Sequence, residues 1–223
     1  MAYQKQSISP VSSSDLPFLS DLVHTCKLAL PINRLLFKDW PNDAAQKPLY
    51  AAAVESAFKG ESVDCLKSVD QQPGDILGYL ALTRKRPHTG STETQPPSGK
   101  GIGSEKQQDI PEFFNSEVLS AVSNAVSEIA KGTEGFDHFE LSYICVKPSA
   151  RRHGIGSQLV NVCLERARTE GIPLVVCSEP AAHEFFLNLG FRDTTHVDID
   201  LTKWAPTHSG FGNFRLSGMF WTP

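Results

Sequence analysis

No segment of the chain approaches the ~18 unbroken apolar residues that a membrane-spanning helix needs. The opening MAYQKQSISPVSSSD also has no apolar stretch of the kind a secretory signal carries, so neither a membrane span nor a leader is expected. An excess of one charge is lacking too. The 21 Lys and Arg against 25 Asp and Glu leave a net charge of −4, with no positive field to draw the chain onto nucleic acid or anionic lipid. Cysteine is scarce and odd in number, at positions 26, 65, 145, 163 and 177, without C-x-x-C spacing. Cys145, Cys163 and Cys177 fall inside apolar segments, where a free thiol serves as a small hydrophobe. A disulfide framework is therefore not expected, and the pattern fits a reduced, cytoplasmic protein. The 7 histidines are scattered and pair with no cysteine at zinc spacing, so no metal is expected.

What the chain does have is an alternation of short elements and enough apolar residues, 40% of 223, for a sizeable core. QSISPV reads as a short strand. SSSDLPFLSDLVHTCK offers a cap followed by Leu16, Leu19, Leu22 and Val23 at helical spacing. LPINRLLFKDWPND is apolar but rich in turn residues, and AAQKPLYAAAVESAFKG reads as a helix closed by Gly60. VDCLKSVD and DILGYLALTRKR flank the turn QQPG as an antiparallel hairpin. Residues 87–109 are polar and rich in Gly, Pro, Ser and Thr, the composition of a flexible insertion. Val118, Val122, Val126 and Ile129 then mark one face of an amphipathic helix. Beyond it the expected order is strand 138–146, helix 155–170, strand 173–178, helix 181–189, strand 191–201 and a last strand FRLSGMFW.

The stretch KPSARRHGIGSQLV carries the chemistry. It lies between the strand LSYICV and a helix whose expected face is Ile155, Leu159, Val162, Cys163 and Arg166, with Gly171 at its end. The first amides of a helix have no intrahelical partner, and the helix dipole favours an anion there. Glycine removes the Cβ that would hold an anion off those amides, while Arg151 and Arg152 add positive charge at the rim. The turn reads as a phosphate or pyrophosphate cradle. The near-copy KGIGS at 100–104 has neither strand before nor helix after it and reads as linker. A P-loop is excluded because no lysine follows the glycines. A dinucleotide fingerprint starting at Gly154 meets Leu159 at its third glycine, although Glu179 stands where a ribose-binding acid would. A plain helix cap with two solvated arginines is the bland alternative.

The whole phrase resembles the acetyl-coenzyme A motif of the GNAT superfamily of N-acetyltransferases, V-x-P-x-x-R-x-x-G-x-G/A-x-x-L, with Val146, Pro148, Arg151, Gly154, Gly156 and Leu159 in the matching places. AAHEFFLNLGF is similar to the family's aromatic-rich helix ending in L-G-F, and the ending VDIDLTKWAP…FRLSGMFW is similar to fungal-type small-molecule members. The resemblance implies one α+β domain over residues 7–222, interrupted by the insertion, with a mixed, mostly antiparallel twisted sheet flanked by helices. It implies acetyl-CoA as co-substrate, bound along Ile144, Cys145 and Val146 and over Arg151, Arg152, His153, Gly154, Ile155, Gly156 and Ser157, with Phe186 beside the thioester. Relatives usually carry tyrosine at that last position, where its hydroxyl protonates the departing thiolate; Phe186 has none.

The implied reaction is direct attack of an unprotonated small-molecule primary amine on the thioester, with Glu140 as the candidate general base. His138 is expected on the surface, and His183 either on the helix surface or near the cofactor. Phe37, Trp40, Trp204 and Phe211 are the candidate walls of the acceptor site, with Asp39, Asp198 or Asp200 as holders of an ammonium. The alternation in HVDIDL turns both of the last two aspartates away from Val197, Ile199 and Leu201. A monomer or homodimer without nucleic-acid or membrane partners is expected. A non-catalytic acyl-CoA sensor, a protein N-terminal or lysine acetyltransferase, and a dinucleotide-binding reductase remain as alternatives.

Overall fold

Strand alternation and helix stripes resolve into a single sheet covered on both faces. The computed structural model describes residues 6–70, 74–87 and 110–223. The expected insertion beyond Pro87, the KGIGS copy and Gln71–Pro73 of the hairpin turn lie outside the described residues. In chain order the elements are β1 (Gln6–Pro10), α1 (Leu16–Leu28), α2 (Asn33–Leu36), α3 (Asp43–Lys59), β2 (Val63–Asp70) and β3 (Ile76–Lys85). After the undescribed segment follow α4 (Ser116–Lys131), β4 (His138–Val146), α5 (Ile155–Glu170), β5 (Leu174–Ser178), α6 (Pro180–Asn188), β6 (Arg192–Asp200) and β7 (Asn213–Trp221). The sheet runs β1-β2-β3-β4-β5-β7-β6. All its pairs are antiparallel except β4–β5.

On one face α5 and α6 cover a core containing Leu80, Leu82, Phe139, Leu141, Ile155, Leu159, Leu174, Phe186 and Phe191. On the other, α1 and α3 bury Leu19, Val23, Val54, Tyr79 and Cys145, while α4 packs Val118, Ala125 and Ile129 against Ile199, Phe214 and Leu216. Each fully buried Leu, Ile or Phe contributes about 1.5–3 kcal/mol. Gly218 of β7 lets α4 approach closely, since a Cβ there would stand 2.8 Å from the Ile129 side chain.

Several expectations need correction. α5 buries Val160, Leu164 and Ala167 beside Ile155, Leu159 and Cys163, and leaves Val162 and Arg166 outside. Apolar residues flank the stripe on both sides, and only the sheet decides toward which side it widens. α4 likewise exposes Val126 and buries Leu119 and Ala125. Gly60 ends α3 in an extended conformation, not a left-handed one, and its lack of a Cβ makes room for Val63. His138 is buried, with Nδ1 2.9 Å from the Phe136 carbonyl. The turn-rich apolar stretch after α1 contains the one-turn helix α2.

Candidate active site

β4 and β5 pair at only two positions, Phe139 with Leu174 and Glu140 with Val175. Beyond them β4 continues against β3 as far as Val146, while β5 continues against β7 as far as Ser178. The facing edges, Leu141–Val146 and Val176–Ser178, therefore part and leave a wedge between parallel strands. A bulge contributes: the β3–β4 register shifts so that Ser142 has no cross-strand partner, and its hydroxyl lies 2.9 Å from Thr83 Oγ1. An extra residue in one strand bends it and sharpens its twist.

The turn after β4 leads directly from this wedge into α5. Pro148–Ala150 form a 3₁₀ turn, Arg151 is extended, and Arg152 (φ 65°) and Gly154 (φ 81°) are left-handed. That conformation suits Gly154, which caps α5 without any side-chain hydrogen bond. The first hydrogen bond of α5 runs from the Gln158 amide to the Gly154 carbonyl at 2.9 Å, so the amides of Ile155, Gly156 and Ser157 precede the ladder. Arg152, His153 and Gly154 are exposed, whereas the Ile155 side chain is buried and can offer only its main chain. His153 Nδ1 is 2.8 Å from the Arg151 carbonyl. Arg151 Nε donates to the Val146 carbonyl at 3.2 Å, and Arg151 Nη2 lies 3.7 Å from Cys26 Sγ. The unpaired amides at the start of α5 and the parted edge of β4 are thus continuous.

Phe186 is misplaced by the sequence reading. It is 1% exposed and packs edge-on to Phe185 and Phe191 within the core of the α5 face. Phe185 is the aromatic beside the cradle, its ring 3.3 Å from where a Cβ on Gly156 would stand.

Lys27 of α1 meets Glu179, the residue that caps α6 directly after β5, with Nζ 2.7 Å from Oε1. Both side chains are about two-thirds covered, at 28% and 31% exposure. Burial alone would lower the Lys27 pKa, but the Glu179 carboxylate outweighs it and holds the ammonium above its ordinary value. The Asn33 amide donates to the Lys27 carbonyl at 2.7 Å and approaches the Tyr50 hydroxyl at 3.4 Å. Burial pushes Tyr50 up to about 12 and Cys177 up to about 11, the latter helped by the carboxylates of Glu140 and Glu179. A hydrogen bond shared with Cys145 lowers Cys26 to about 6 against its burial, with Arg151 adding to the effect, and raises Cys145.

Glu140 occupies the last rung before the wedge, partly exposed and 3.8 Å from Lys85 Nζ. The aromatic candidates fall in two separate clusters. Phe37 is 2% exposed and packs with Trp40, Tyr50, Phe113 and Phe114, so it is core and not a wall. Trp204 and Phe211 pack beside α4 and β7, and Trp204 Nε1 donates to Glu117 at 2.8 Å. Trp204 also lines, with Glu128, Asp198 and Asp200, an outer groove of about 330 Å³ between α4 and β6. Asp198 is engaged by both Arg215 nitrogens at 2.8 and 2.7 Å, and Asp200 accepts from the Thr202 amide at 3.0 Å. His183 pairs with Asp193 at 2.8 Å. No group of three or more potential metal ligands occurs among the described residues.

Lys27, Tyr50 and Tyr143 went unnoticed in the sequence. A signal existed for Lys27: it continues the i, i+4 row Leu19–Val23, the buried face of α1.

Residues 116–193 match the profile of the acetyltransferase (GNAT) domain. No curated protein matches the chain. Among solved structures, arylalkylamine N-acetyltransferase 2 from Aedes aegypti aligns at a TM-score of 0.68 and 15% identity, over 98% of this chain and 99% of that one. The structure described as histone acetyltransferase HPA2 and related acetyltransferase from Corynebacterium glutamicum aligns at 0.62 and 19%, over 99% and 97%. Drosophila melanogaster polyamine N-acetyltransferase aligns at 0.57 and 12%, over 98% and 100%. The matched residues 116–193 take in the parted parallel pair and the turn into α5, and the chain shares the fold of these solved acetyltransferase structures.

Proposed function

We propose that the protein transfers the acetyl group of acetyl-CoA to the primary amine of a small molecule by direct attack. The carrying observation is the wedge between β4 and β5, opening after two rungs beside an uncapped helix N-terminus. A pantetheine arm fits the free edge of β4 as an added strand, with main-chain groups of Ile144, Cys145 and Val146 as partners, while the pyrophosphate fits the amides of Ile155 to Ser157. Arg151 then leaves the Val146 carbonyl for the phosphates. Glu140, at the apex of the wedge, takes the proton of the attacking amine, directly or through water. Holding amine and thioester together supplies much of the acceleration. A small acceptor is favoured because the described relatives include arylalkylamine and polyamine N-acetyltransferases.

Thermal shift with acetyl-CoA, CoA and NADPH tests the cofactor. At a hundredfold excess over Kd a ligand of the folded state adds about 2.7 kcal/mol. Stabilisation is expected with the first two only. Thiol release is then followed across a panel of aromatic amines, polyamines and peptides. Turnover with a small amine, lowered ~10²-fold or more in Glu140→Gln, supports the reading. Binding without turnover would instead identify an acyl-CoA sensor.

A further inference from the structure

Lys27 carries a charge that the reaction above leaves unused. Its helix lies over β4, its partner Glu179 follows β5, and the pair joins the two sides of the wedge. Its ammonium acts on the ionisation of Tyr143 and Cys145 on β4 and of Cys177 on β5. The other ionisable groups around it are Tyr50, Glu179 and, through Cys177, Glu140. Lys27 thus reaches from α1, which packs on β4, to the residue that follows β5, and Glu179 keeps it protonated while fixing its direction. Surface exposure of about a third leaves it less screened than a solvent lysine, so its field acts strongly on a neighbouring anion.

Amine attack adds the nitrogen lone pair to the thioester carbonyl carbon. The C–S bond then breaks, the bonding pair leaves on sulphur, and the amine proton goes to Glu140 or water. The departing sulphur is therefore an anion inside the wedge. Phe186, sealed in the core and without a hydroxyl, cannot supply it with a proton. We propose that Lys27, held by Glu179, is a catalytic residue whose ammonium stabilises the departing CoA thiolate. This inference rests on the acetyltransferase reading. Glu179 is the positioning residue, and its negative charge is secondary to the cation it orients.

The test compares Lys27→Met, Lys27→Arg, Glu179→Gln and the double variant Lys27→Met/Glu179→Gln with the wild type, by thiol release with a small amine and by melting temperature. Acetyl-CoA stabilisation and turnover of the wild type establish the reading itself, separately from any variant. Lys27→Met is expected to lower kcat ~10²–10³-fold, the loss typical of one group that stabilises transition-state charge. KM for acetyl-CoA should stay within ~3-fold. Lys27→Arg keeps the charge and should recover most of kcat, Glu179→Gln should stay within ~10-fold of wild type, and the double variant should remain as slow as Lys27→Met. Recovery of kcat in the double variant would overturn the proposal, because Lys27 would then only be neutralising a buried carboxylate. A Glu179→Gln defect as large as that of Lys27→Met, or a loss confined to KM, would overturn it too. Should Lys27→Met not fold, the double variant, which leaves no carboxylate unpaired, takes its place: a kcat within ~3-fold of Glu179→Gln would overturn the proposal, and a kcat lower by ~10-fold or more would support it.

Discussion

Phe186→Tyr separates the two faces of α6 in one experiment. Were the ring beside the thioester sulphur, a hydroxyl there would protonate the thiolate and raise kcat. In the structure the ring is 1% exposed within a hydrophobic core cluster, with Phe185 and Phe191 edge-on at centroid distances of 5.1 and 5.2 Å. A hydroxyl placed among these rings loses its water, and leaving it unpaired costs about 1–3 kcal/mol. For a domain of this size each kcal/mol lowers the melting temperature by about 2–4 °C, so a fall of roughly 2–12 °C is expected. Scanning calorimetry measures that fall, and thiol release at a temperature where both proteins are folded measures kcat, which should not change. Phe185→Tyr is the companion: its ring is only partly buried, so the added oxygen should cost less. An undiminished melting temperature together with a several-fold higher kcat in Phe186→Tyr would refute the packing argument and return Phe186 to the cofactor.

Gly154→Ala forces a Cβ into a left-handed position at φ 81° and should cost roughly 1–2 kcal/mol while weakening acetyl-CoA binding, read by calorimetric titration. Gly74→Ala, left-handed at φ 93° with open space around it, should cost similar stability and leave acetyl-CoA binding intact; equal binding losses would remove the cradle's special status. Asp15, at 2.5 Å from Lys67 Nζ and 2.7 Å from the Ser12 hydroxyl, has its pKa lowered: burial raises it, and those hydrogen bonds outweigh burial. A carboxylate depressed on folding contributes stability above its unfolded value of ~3.9 and loses it as pH falls through the folded value. Urea midpoints of Asp15→Asn should therefore lie below wild type at pH 7 and converge with it well below pH 4.

Legibility followed locality. The helix from Ile155 to Glu170 and the strand from His138 to Val146 have the bounds read from the residues alone, because glycines at both helix ends and a change of hydrophobic period mark them within a few residues. The turn from Arg151 to Ser157 was legible for the same reason: its arginines, glycines and first helix amides are consecutive. What escaped depends on distant partners. Whether α5 turns Val160 or Val162 inward, and whether Phe185 or Phe186 enters the core, is decided by the sheet beneath and not by spacing. Lys27 and Glu179 are 152 residues apart, and no local pattern announces that they meet. Phe37 illustrates the converse, an aromatic whose type suggested a binding wall and whose neighbours Phe113 and Phe114, beyond the insertion, make it interior.

The early parting of β4 and β5 gives this sheet a third rim, in its middle, besides the two at β1 and β6. Outer rims invite other chains to add strands, and proteins blunt them with charge, as Arg192, Asp198 and Arg215 do around β6 and its neighbour. The inner rim is far shorter, since β5 offers it only Val176, Cys177 and Ser178. On the function proposed above, an arm such as pantetheine, with amides of its own, would take up there hydrogen bonds that the sheet leaves unmade.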